Sequence, residues 1–180
     1  TVFVMENVKA LGKLEKWDAI RQKYLDRALE LGYTCNYLIL NAADFGVSQN
    51  RERVFFIGSR TKKDFSLFLS ALDKHKEKPK TLRELLGSLP IAGSEENPIT
   101  CTAKITLATN PVMRKSPYAG MIFNGMGRPL NLDSVSTTLP ASMGGNKTPI
   151  VDTAILADPS AYDWIKDYHG KLSKGEITTS

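Results

Sequence analysis

Two short segments in the first third of the chain carry side chains suited to acid–base chemistry and to recognition of a base or an anion. The first is Glu6-Asn7-Val8, which follows an apolar β-type run at residues 1–5. In open α/β sheets the ligand crevice lies outside the carboxyl ends of the strands. A partly desolvated carboxylic acid at that position can donate a proton to a bound molecule near neutral pH. The competing interpretation is that Glu6 only caps the turn that follows.

The second segment spaces Gln49, Arg51 and Arg53 two residues apart. Side chains at this spacing share one face of an extended chain. Two guanidinium groups and an amide on one face can bind phosphates, a carboxylate or the edge of a base. The competing interpretation is an exposed entry to a strand, with Glu52 as the counter-charge. For each segment taken alone, the structural interpretation is the better supported one.

The elements that must position these segments are predicted to form a β-α-β-β unit. Residues 1–5 have the continuous apolar character of a strand buried on both faces, and residues 33–40 and 53–59 read as two further strands. A helix is predicted over residues 14–31, because apolar residues recur there at three- and four-residue spacing and Gly32 follows as a left-handed C-cap. The apolar stripe of this helix comprises Leu14, Trp17, Ile20, Tyr24, Ala28 and Leu31.

The lengths of the connections predict how these strands pair. The first two strands are joined through a helix, so they should run parallel with a right-handed crossover. The polar link between the second and third strands is too short for a crossover helix, which predicts that these two are antiparallel neighbours. The expected fold class is therefore α/β, with a partial doubly wound sheet in residues 1–90.

Two more helices are predicted before the character of the chain changes. One covers residues 64–75, and the other begins at Thr81 and stops at Gly87 or Pro90. Thr81 and Glu84 have the spacing of a capping box, which marks a helix start. The inner face of the helix at 64–75 comprises Phe65, Phe68, Leu69 and Leu72.

The second half of the chain predicts a different architecture. From residue 91 onwards Gly, Pro, Asn, Ser and Thr are frequent, and clear helical periodicity returns only at 160–168. Short apolar pieces, among them residues 149–156, lie between turn signals. We therefore predict a small, irregular, β-containing domain over residues 91–180, whose polar loops suit recognition.

Composition and charge exclude several classes of protein. The chain has 180 residues, of which 42% are hydrophobic and 24% charged, enough for an ordinary folded domain. No apolar run approaches the length needed to span a bilayer, so no membrane partner is expected. Cys35 and Cys101 make neither a disulfide framework nor a zinc site, which predicts a cytoplasmic setting without a metal.

The formal net charge of +5 is compatible with a polyanionic partner. The positive excess lies in residues 1–90. Much of it belongs to a short run that is interpreted as a solvated helix end and linker rather than as a binding stripe. This run comprises Lys74, Lys76, Lys78 and Lys80.

Taken together, these segments resemble the second half of the catalytic domain of DNA cytosine-5 methyltransferases. "ENV" at residues 6–8 is similar to motif six of that family, and Gln-x-Arg-x-Arg at 49–53, after "FGV", is similar to motif eight. "TLRELLGSLP" at 81–90 is similar to the helix that follows motif eight in the family. "SVSTTLPASMGGNKTP" at 134–149 is similar to the end of the target recognition domain.

The resemblance implies a Rossmann-like methyltransferase sheet and a specific chemistry. The target cytosine leaves the duplex for a pocket. A cysteine thiolate adds to C6, a carboxylic acid donates to N3, and C5 takes the methyl group of S-adenosylmethionine. By resemblance Glu6 is the N3 donor, and Asn7 braces the nucleophile loop. Arg53 reaches the flipped base or its flanking phosphate, and Gln49 and Arg51 support the pocket.

The resemblance also implies a DNA-facing surface in the second domain. Its partner is double-stranded DNA, which a glycine-rich loop can approach closely. The residues expected at this surface are Thr138, Leu139, Gly144, Gly145, Asn146 and Lys147.

The sequence departs from the family pattern in ways that affect the expected activity. Ser48 stands where a proline is usual, and neither Cys35 nor Cys101 follows a proline as the family nucleophile does. The glycine-rich turn that binds the methyl donor is not in this sequence. We therefore expect a middle-to-late piece of a bacterial restriction–modification methyltransferase that is inactive alone and requires an N-terminal half. An unpaired sheet edge makes self-association a further expectation.

Three alternatives remain open at this point. The chain could be a non-catalytic DNA-recognition subunit of a split methyltransferase that lends Glu6 to its partner. It could instead belong to an RNA cytosine-5 methyltransferase of the same superfamily. The third alternative is an unrelated α/β domain.

Overall fold

Three strands form the sheet in the first part of the chain: β1 (Val2–Val8), β2 (Thr34–Asn41) and β3 (Glu52–Ser59). Their order is β1-β3-β2, and β3 is antiparallel to both of its neighbours. The predicted antiparallel pairing of β2 with β3 is confirmed. β1 and β2 run in the same direction, as predicted, but they are not adjacent because β3 lies between them.

The computed structural model describes residues 1–61, 65–100, 128–139 and 149–178. The chain divides into two compact units, Thr1–Lys80 and Thr81–Ser180. Within the described ranges, no helix has both the length and the apolar character required to cross a bilayer.

The helix predicted over residues 14–31 begins later than expected, at Asp18. A short helix, α1 (Lys9–Lys13), is followed by an extended Leu14, a 3-10 turn and then α2 (Asp18–Glu30). The break is stabilised by Arg21, whose guanidinium donates to the carbonyl oxygens of Leu11 at 2.7 Å and Leu14 at 3.0 Å. The Leu11 carbonyl lies in the last turn of α1, where such groups lack a partner within the helix, and Arg21 supplies a donor. The Leu14 carbonyl also accepts from the Trp17 N–H at 3.0 Å.

The end of α2 matches the sequence signal. Gly32 adopts φ +77°, and its N–H donates to the carbonyl of Leu29 at 2.9 Å. The N–H of Tyr33 donates to the carbonyl of Ala28 at 2.9 Å. A left-handed residue that closes these bonds is favourable when it is glycine, so the predicted C-cap is confirmed.

The core lies between the sheet and the two helices. Its buried residues are Leu11, Val54 and Phe56, against which Ile20, Leu25 and several strand residues pack. Gly12 allows this close packing, since a Cβ at that position would lie 2.8 Å from Cγ2 of Val54. The predicted helical stripe is only partly buried: Ala28 is buried, whereas Leu14, Trp17, Tyr24 and Leu31 remain 38–49% exposed.

Two predictions about β1 are wrong: its burial on both faces and its end before Glu6. Val2, Val4 and Val8 are 60%, 62% and 54% exposed, so β1 is not buried on both faces. The cause is that α1 and α2 cover a single face, and successive side chains alternate between the two faces. β1 also extends to Val8, so Glu6 and Asn7 lie within the strand rather than after it.

The next two helices are close to the predicted ones. α3 spans Phe65–Asp73 and α4 spans Leu82–Leu86, which ends at Gly87. The capping box at α4 is confirmed, because Thr81 Oγ1 accepts from the Glu84 N–H at 3.2 Å and a Glu84 carboxylate oxygen accepts from the Thr81 N–H at 2.7 Å. The predicted inner face of α3 is not buried, and Phe68 and Leu69 are each 38% exposed.

Besides α4, the described part of the second unit contains one small parallel strand pair and two further helices. β4 (Arg128–Pro129) pairs with β5 (Pro149–Ile150). The apolar piece at 149–156 begins as β5 and continues as helix α5 (Thr153–Ala157), whose N-cap Asp152 accepts from the N–H groups of residues 154 and 155. The last helix, α6 (Trp164–Ser173), begins later than the periodicity at 160–168 indicates.

Arg83 joins three segments of the second unit. Its Nε lies 2.7 Å from Oδ1 of Asp133, and its Nη1 donates to the carbonyl oxygens of Ile155 and Leu156 at 2.6 and 2.8 Å. The two carbonyls belong to the last turn of α5, which has no further intrahelical donors. The hydrogen bond from Arg83 also holds the pKa of Asp133 below its ordinary value.

We expect the contribution of Arg83 to stability to depend on pH. A lowered pKa in the folded state adds stability above the usual value of 3.8, and this part is lost as the pH falls through the lowered folded value. Arg83→Gln should therefore destabilise the protein more at pH 7 than at pH 3 in urea titrations. Asp133→Asn keeps Arg83 and is the control. Because this variant has no carboxylate to titrate at position 133, its stability should lack the pH-dependent contribution of the Arg83–Asp133 pair. An equal loss for Arg83→Gln at both pH values would contradict this assignment.

Candidate functional site

A cavity of about 400 Å³ lies on the sheet face that α1 and α2 leave uncovered. This volume is within the range of small-molecule sites in proteins. It combines one carboxylate and two guanidinium groups with apolar walls. The lining residues are Glu6, Leu40, Ala42, Phe45, Arg51, Arg53 and Phe55.

Strand register explains why these side chains meet. Glu6 lies opposite Phe55 across the β1–β3 ladder, Val8 lies opposite Arg53, and Leu40 of β2 lies opposite Arg53 on the other side. Residues directly opposite each other on neighbouring antiparallel strands share a face, and diagonal neighbours remain within reach of long side chains. Glu6 and Arg53 are such a diagonal pair.

Glu6 and Arg53 form an ion pair at the cavity wall. Nε of Arg53 lies 2.8 Å from Oε1 of Glu6. The Arg53 side chain is 19% exposed and that of Glu6 48%, so the desolvation predicted for the carboxyl group is only partial. Nη1 of Arg53 also donates to the carbonyl oxygen of Glu52 at 2.8 Å. The guanidinium is therefore held at two points and fixes the orientation of the Glu6 carboxyl group.

The loop of residues 42–51 carries Arg51 to the cavity, and its tip is held by the segment before α4. The Gly46 N–H donates to the carbonyl of Glu77, and the Glu77 N–H donates to that of Asp44, both at 3.0 Å. The Ser48 hydroxyl donates to the carbonyl of Lys80 at 2.8 Å. The serine that replaces the usual proline thus makes a tether that proline could not make.

The sequence-predicted site residues divide into two groups. Glu6, Arg51 and Arg53 come together at the cavity. Asn7 points to the opposite face of β1, where its Oδ1 accepts from the Val8 N–H at 2.8 Å. Gln49 does not line the cavity: its N–H donates to the carbonyl two residues earlier at 2.7 Å, so the chain turns there and the alternating spacing does not extend to it.

Sequence reasoning missed the apolar walls of the cavity. Phe55 lies two residues after Arg53 in β3 and therefore on the same face of the sheet. Leu40 of β2 lies directly opposite Arg53. Phe45 lies in the loop and forms a parallel bridge with Glu77. The period-two pattern in β3 was a usable signal for Phe55, whereas the position of Phe45 depends on a contact between distant parts of the chain.

The expected DNA-facing residues lie only in part within the described ranges. Thr138 and Leu139 are described, and both are exposed. Gly144, Gly145, Asn146 and Lys147 lie outside the described residues.

The described residues hold no cluster of His, Cys, Asp and Glu that could bind a metal ion. Cys35 lies within β2, and burial raises the pKa of its thiol. A partly buried thiol with a raised pKa is a poor nucleophile, which agrees with its sequence context. Cys101 lies outside the described residues.

The sequence is similar to known DNA methyltransferases. The family model for C-5 cytosine-specific DNA methylases matches residues 1–169. The Type II methyltransferase M.BsuRI of Bacillus subtilis is 39% identical over 185 residues, which cover 98% of this chain and 38% of that protein. The orphan methyltransferase M.SssI of Spiroplasma monobiae is 31% identical over 154 residues, with coverages of 83% and 37%.

A shorter match has similar identity. The Type II methyltransferase M.HgiBI of Herpetosiphon aurantiacus is 36% identical over 89 residues, covering 49% of this chain and 20% of that protein. The chain thus spans between 20% and 38% of the lengths of these three relatives.

Proposed function

We propose, from the premise that this chain belongs to the C-5 cytosine-specific DNA methylase family, that it supplies the acid–arginine side of the base pocket in a DNA cytosine-5 methyltransferase. The observation that carries this proposal is the Glu6–Arg53 pair, 2.8 Å apart on the wall of a cavity of about 400 Å³. An extruded cytosine offers a ring nitrogen, N3, that an acid can protonate, and a carbonyl oxygen that a guanidinium can bind.

In this proposal the charged and aromatic residues of the cavity have different roles. Glu6 in its protonated form transfers a proton to N3 of the cytosine, which leaves the carboxylate paired with Arg53, and the ring accepts the electron pair of a thiolate that adds at C6. Arg53 orients Glu6 and donates to the base or its flanking phosphate. Arg51 lines the cavity and is exposed to solvent, so it can make a charge-assisted contact to a phosphate. Phe45 and Phe55 provide apolar surface that excludes water from the base.

The remaining roles are proposed from family membership. Asn7 braces the loop that carries the nucleophile, and Gln49 supports the pocket from its edge. The second domain, residues 91–180, reads the DNA sequence. Its contacts are Thr138, Leu139, Gly144, Gly145, Asn146 and Lys147.

The methyl donor is proposed to be S-adenosylmethionine, which supplies the methyl group for C5. The family's glycine-rich donor turn does not occur in this sequence. We assign no residue of this chain to the donor. Likewise, the Rossmann-like doubly wound sheet is a proposal for a longer protein of which β1, β2 and β3 form part.

The proposed partners are duplex DNA and a polypeptide that carries the family's Pro-Cys nucleophile. The match covers only 38% of M.BsuRI, which supports the proposal that methyl transfer requires a further polypeptide. The outer edge of β1 pairs with no other strand within the described residues, and an unpaired edge favours association with a further strand or a second copy. A bacterial restriction–modification setting in the cytoplasm completes the proposal.

Complementation tests this function directly. The chain is mixed with a separately purified polypeptide that carries the Pro-Cys loop and the glycine-rich donor turn, and labelled methyl transfer to duplex DNA and to transfer RNA is measured. We expect transfer to DNA by the mixture and none by the chain alone. Transfer only to RNA would favour the RNA enzyme. DNA binding without transfer, by a mixture shown to associate, would favour a non-catalytic recognition subunit.

A further inference from the structure

Asn41, the last residue of β2, makes three side-chain hydrogen bonds across the base of the loop that carries Arg51. Its Oδ1 accepts from the backbone N–H of Arg51 at 2.9 Å and from that of Ala43 at 3.2 Å. Its Nδ2 donates to Oδ1 of Asn50 at 3.1 Å. One carboxamide therefore bonds both ends of the loop of residues 42–51.

These bonds act where the backbone ladder is about to end. Asn41 is paired with Glu52 in the β2–β3 ladder, and the Ala42 N–H donates to the carbonyl of Arg51 at 3.0 Å. Beyond this point, the strands separate into the loop. The Asn41 side chain replaces the next rungs of the ladder, and it fixes the residue that lines the cavity immediately before β3.

The chemistry of the bonds specifies asparagine. Two backbone N–H groups require an acceptor oxygen, and the Asn50 oxygen requires a donor. Aspartate retains the acceptor and lacks the donor, whereas alanine lacks both. The loop tip has its own anchors at Glu77 and Lys80. Removal of the Asn41 side chain therefore leaves the tip attached and reduces the bonds across the base of the loop to the backbone bond between Ala42 and Arg51.

We infer that Asn41 is a positioning residue for Arg51, holding the Arg51 backbone so that this residue lines the Glu6–Arg53 cavity. This inference rests on the proposed function for its catalytic consequence. Its structural part, the hold on the Arg51 amide, is independent of any activity. Asn41 acts through Arg51 and touches no reacting atom.

The structural part is tested by amide hydrogen exchange on the 180-residue chain. In the unmodified chain the Arg51 N–H is expected to be protected, and in Asn41→Ala its exchange should accelerate by at least about tenfold. Asn41→Asp keeps the acceptor and should retain most of the protection. Asn36→Ala, at the same residue type in the same strand, is the matched control and should leave Arg51 unchanged. Equal Arg51 protection in the Asn41→Ala and unmodified chains would overturn the inference.

The catalytic part is tested in the complemented enzyme. Asn41→Ala should lower kcat about 10- to 100-fold, because a small displacement of a positioned group is costly, while KM for DNA changes little. Asn41→Asp should recover part of the rate, and Asn36→Ala should match the unmodified enzyme. No transfer by the unmodified enzyme would contradict the proposed function and leave the exchange result standing. Transfer by the unmodified enzyme with an unchanged kcat in Asn41→Ala would overturn the positioning role alone.

Discussion

Glu6→Gln in the complemented enzyme is expected to slow methyl transfer by about 10²- to 10⁴-fold, the usual contribution of general acid–base catalysis. Glutamine has the same shape and still lines the cavity, but its amide cannot release a proton to N3 of cytosine. Without that proton, the ring cannot accept the electron pair of the attacking thiolate. DNA affinity should change little, because it depends mainly on phosphate contacts made elsewhere.

Two measurements separate the chemical role of Glu6 from a structural one. Single-turnover methyl transfer reports on chemistry, and fluorescence anisotropy at a fixed salt concentration reports on DNA affinity. Glu15→Gln, an exposed carboxylate in the 3-10 turn before α2, is the matched control and should behave as the unmodified enzyme. An unaffected transfer rate in Glu6→Gln would remove Glu6 from the mechanism.

The loss of the Arg53 ion pair is a second consequence of the same substitution. Arg53 is mostly buried and keeps its bond to the Glu52 carbonyl in the variant, so its position should be largely retained. A half-exposed ion pair adds little to stability. We therefore expect the free energy of unfolding of Glu6→Gln to stay within about 1 kcal/mol of the unmodified chain.

Phe56→Ala should have the largest effect on stability among substitutions in the first unit. Phe56 is 1% exposed, and its ring lies 5.5 Å from that of Tyr24 and 5.3 Å from that of Tyr37. Truncation of a buried phenylalanine costs about 3–5 kcal/mol, through lost apolar burial and the cavity that remains. Since domains are stable by only about 5–15 kcal/mol, much of the stability of this unit should be lost.

Urea unfolding in a Trp164→Phe background makes this test specific to the first unit. The chain has two tryptophans, Trp17 and Trp164, so Trp17 then reports on the first unit alone. Phe68→Ala is the matched control: Phe68 is 38% exposed on α3 and should lose far less stability. Similar losses for both variants would show that Phe56 is not at the centre of the core.

Local signals in the sequence determined where α2 ends and where α4 begins, and they indicated a type of chemistry. Gly32 adopts the left-handed cap, and Thr81 with Glu84 forms the capping box, as their residue types predict. Both features depend on bonds between residues a few positions apart, so neighbouring residues contain the information. In the same way, the carboxyl group and arginines in the motif-like segments indicated acid–base chemistry and recognition of a base or an anion.

Only the tertiary structure decided how these groups meet. The position of β3 between β1 and β2 makes Glu6 and Arg53 diagonal neighbours, and it was not evident from connection lengths. Because the helices cover only one face of the sheet, the cavity on the other face stays accessible. The hydrogen bonds of Asn41 close the base of the loop that carries Arg51. Pairing order, burial and loop closure are set by contacts between residues far apart in sequence. Their free energies depend on the whole packed arrangement, and no local pattern encodes them.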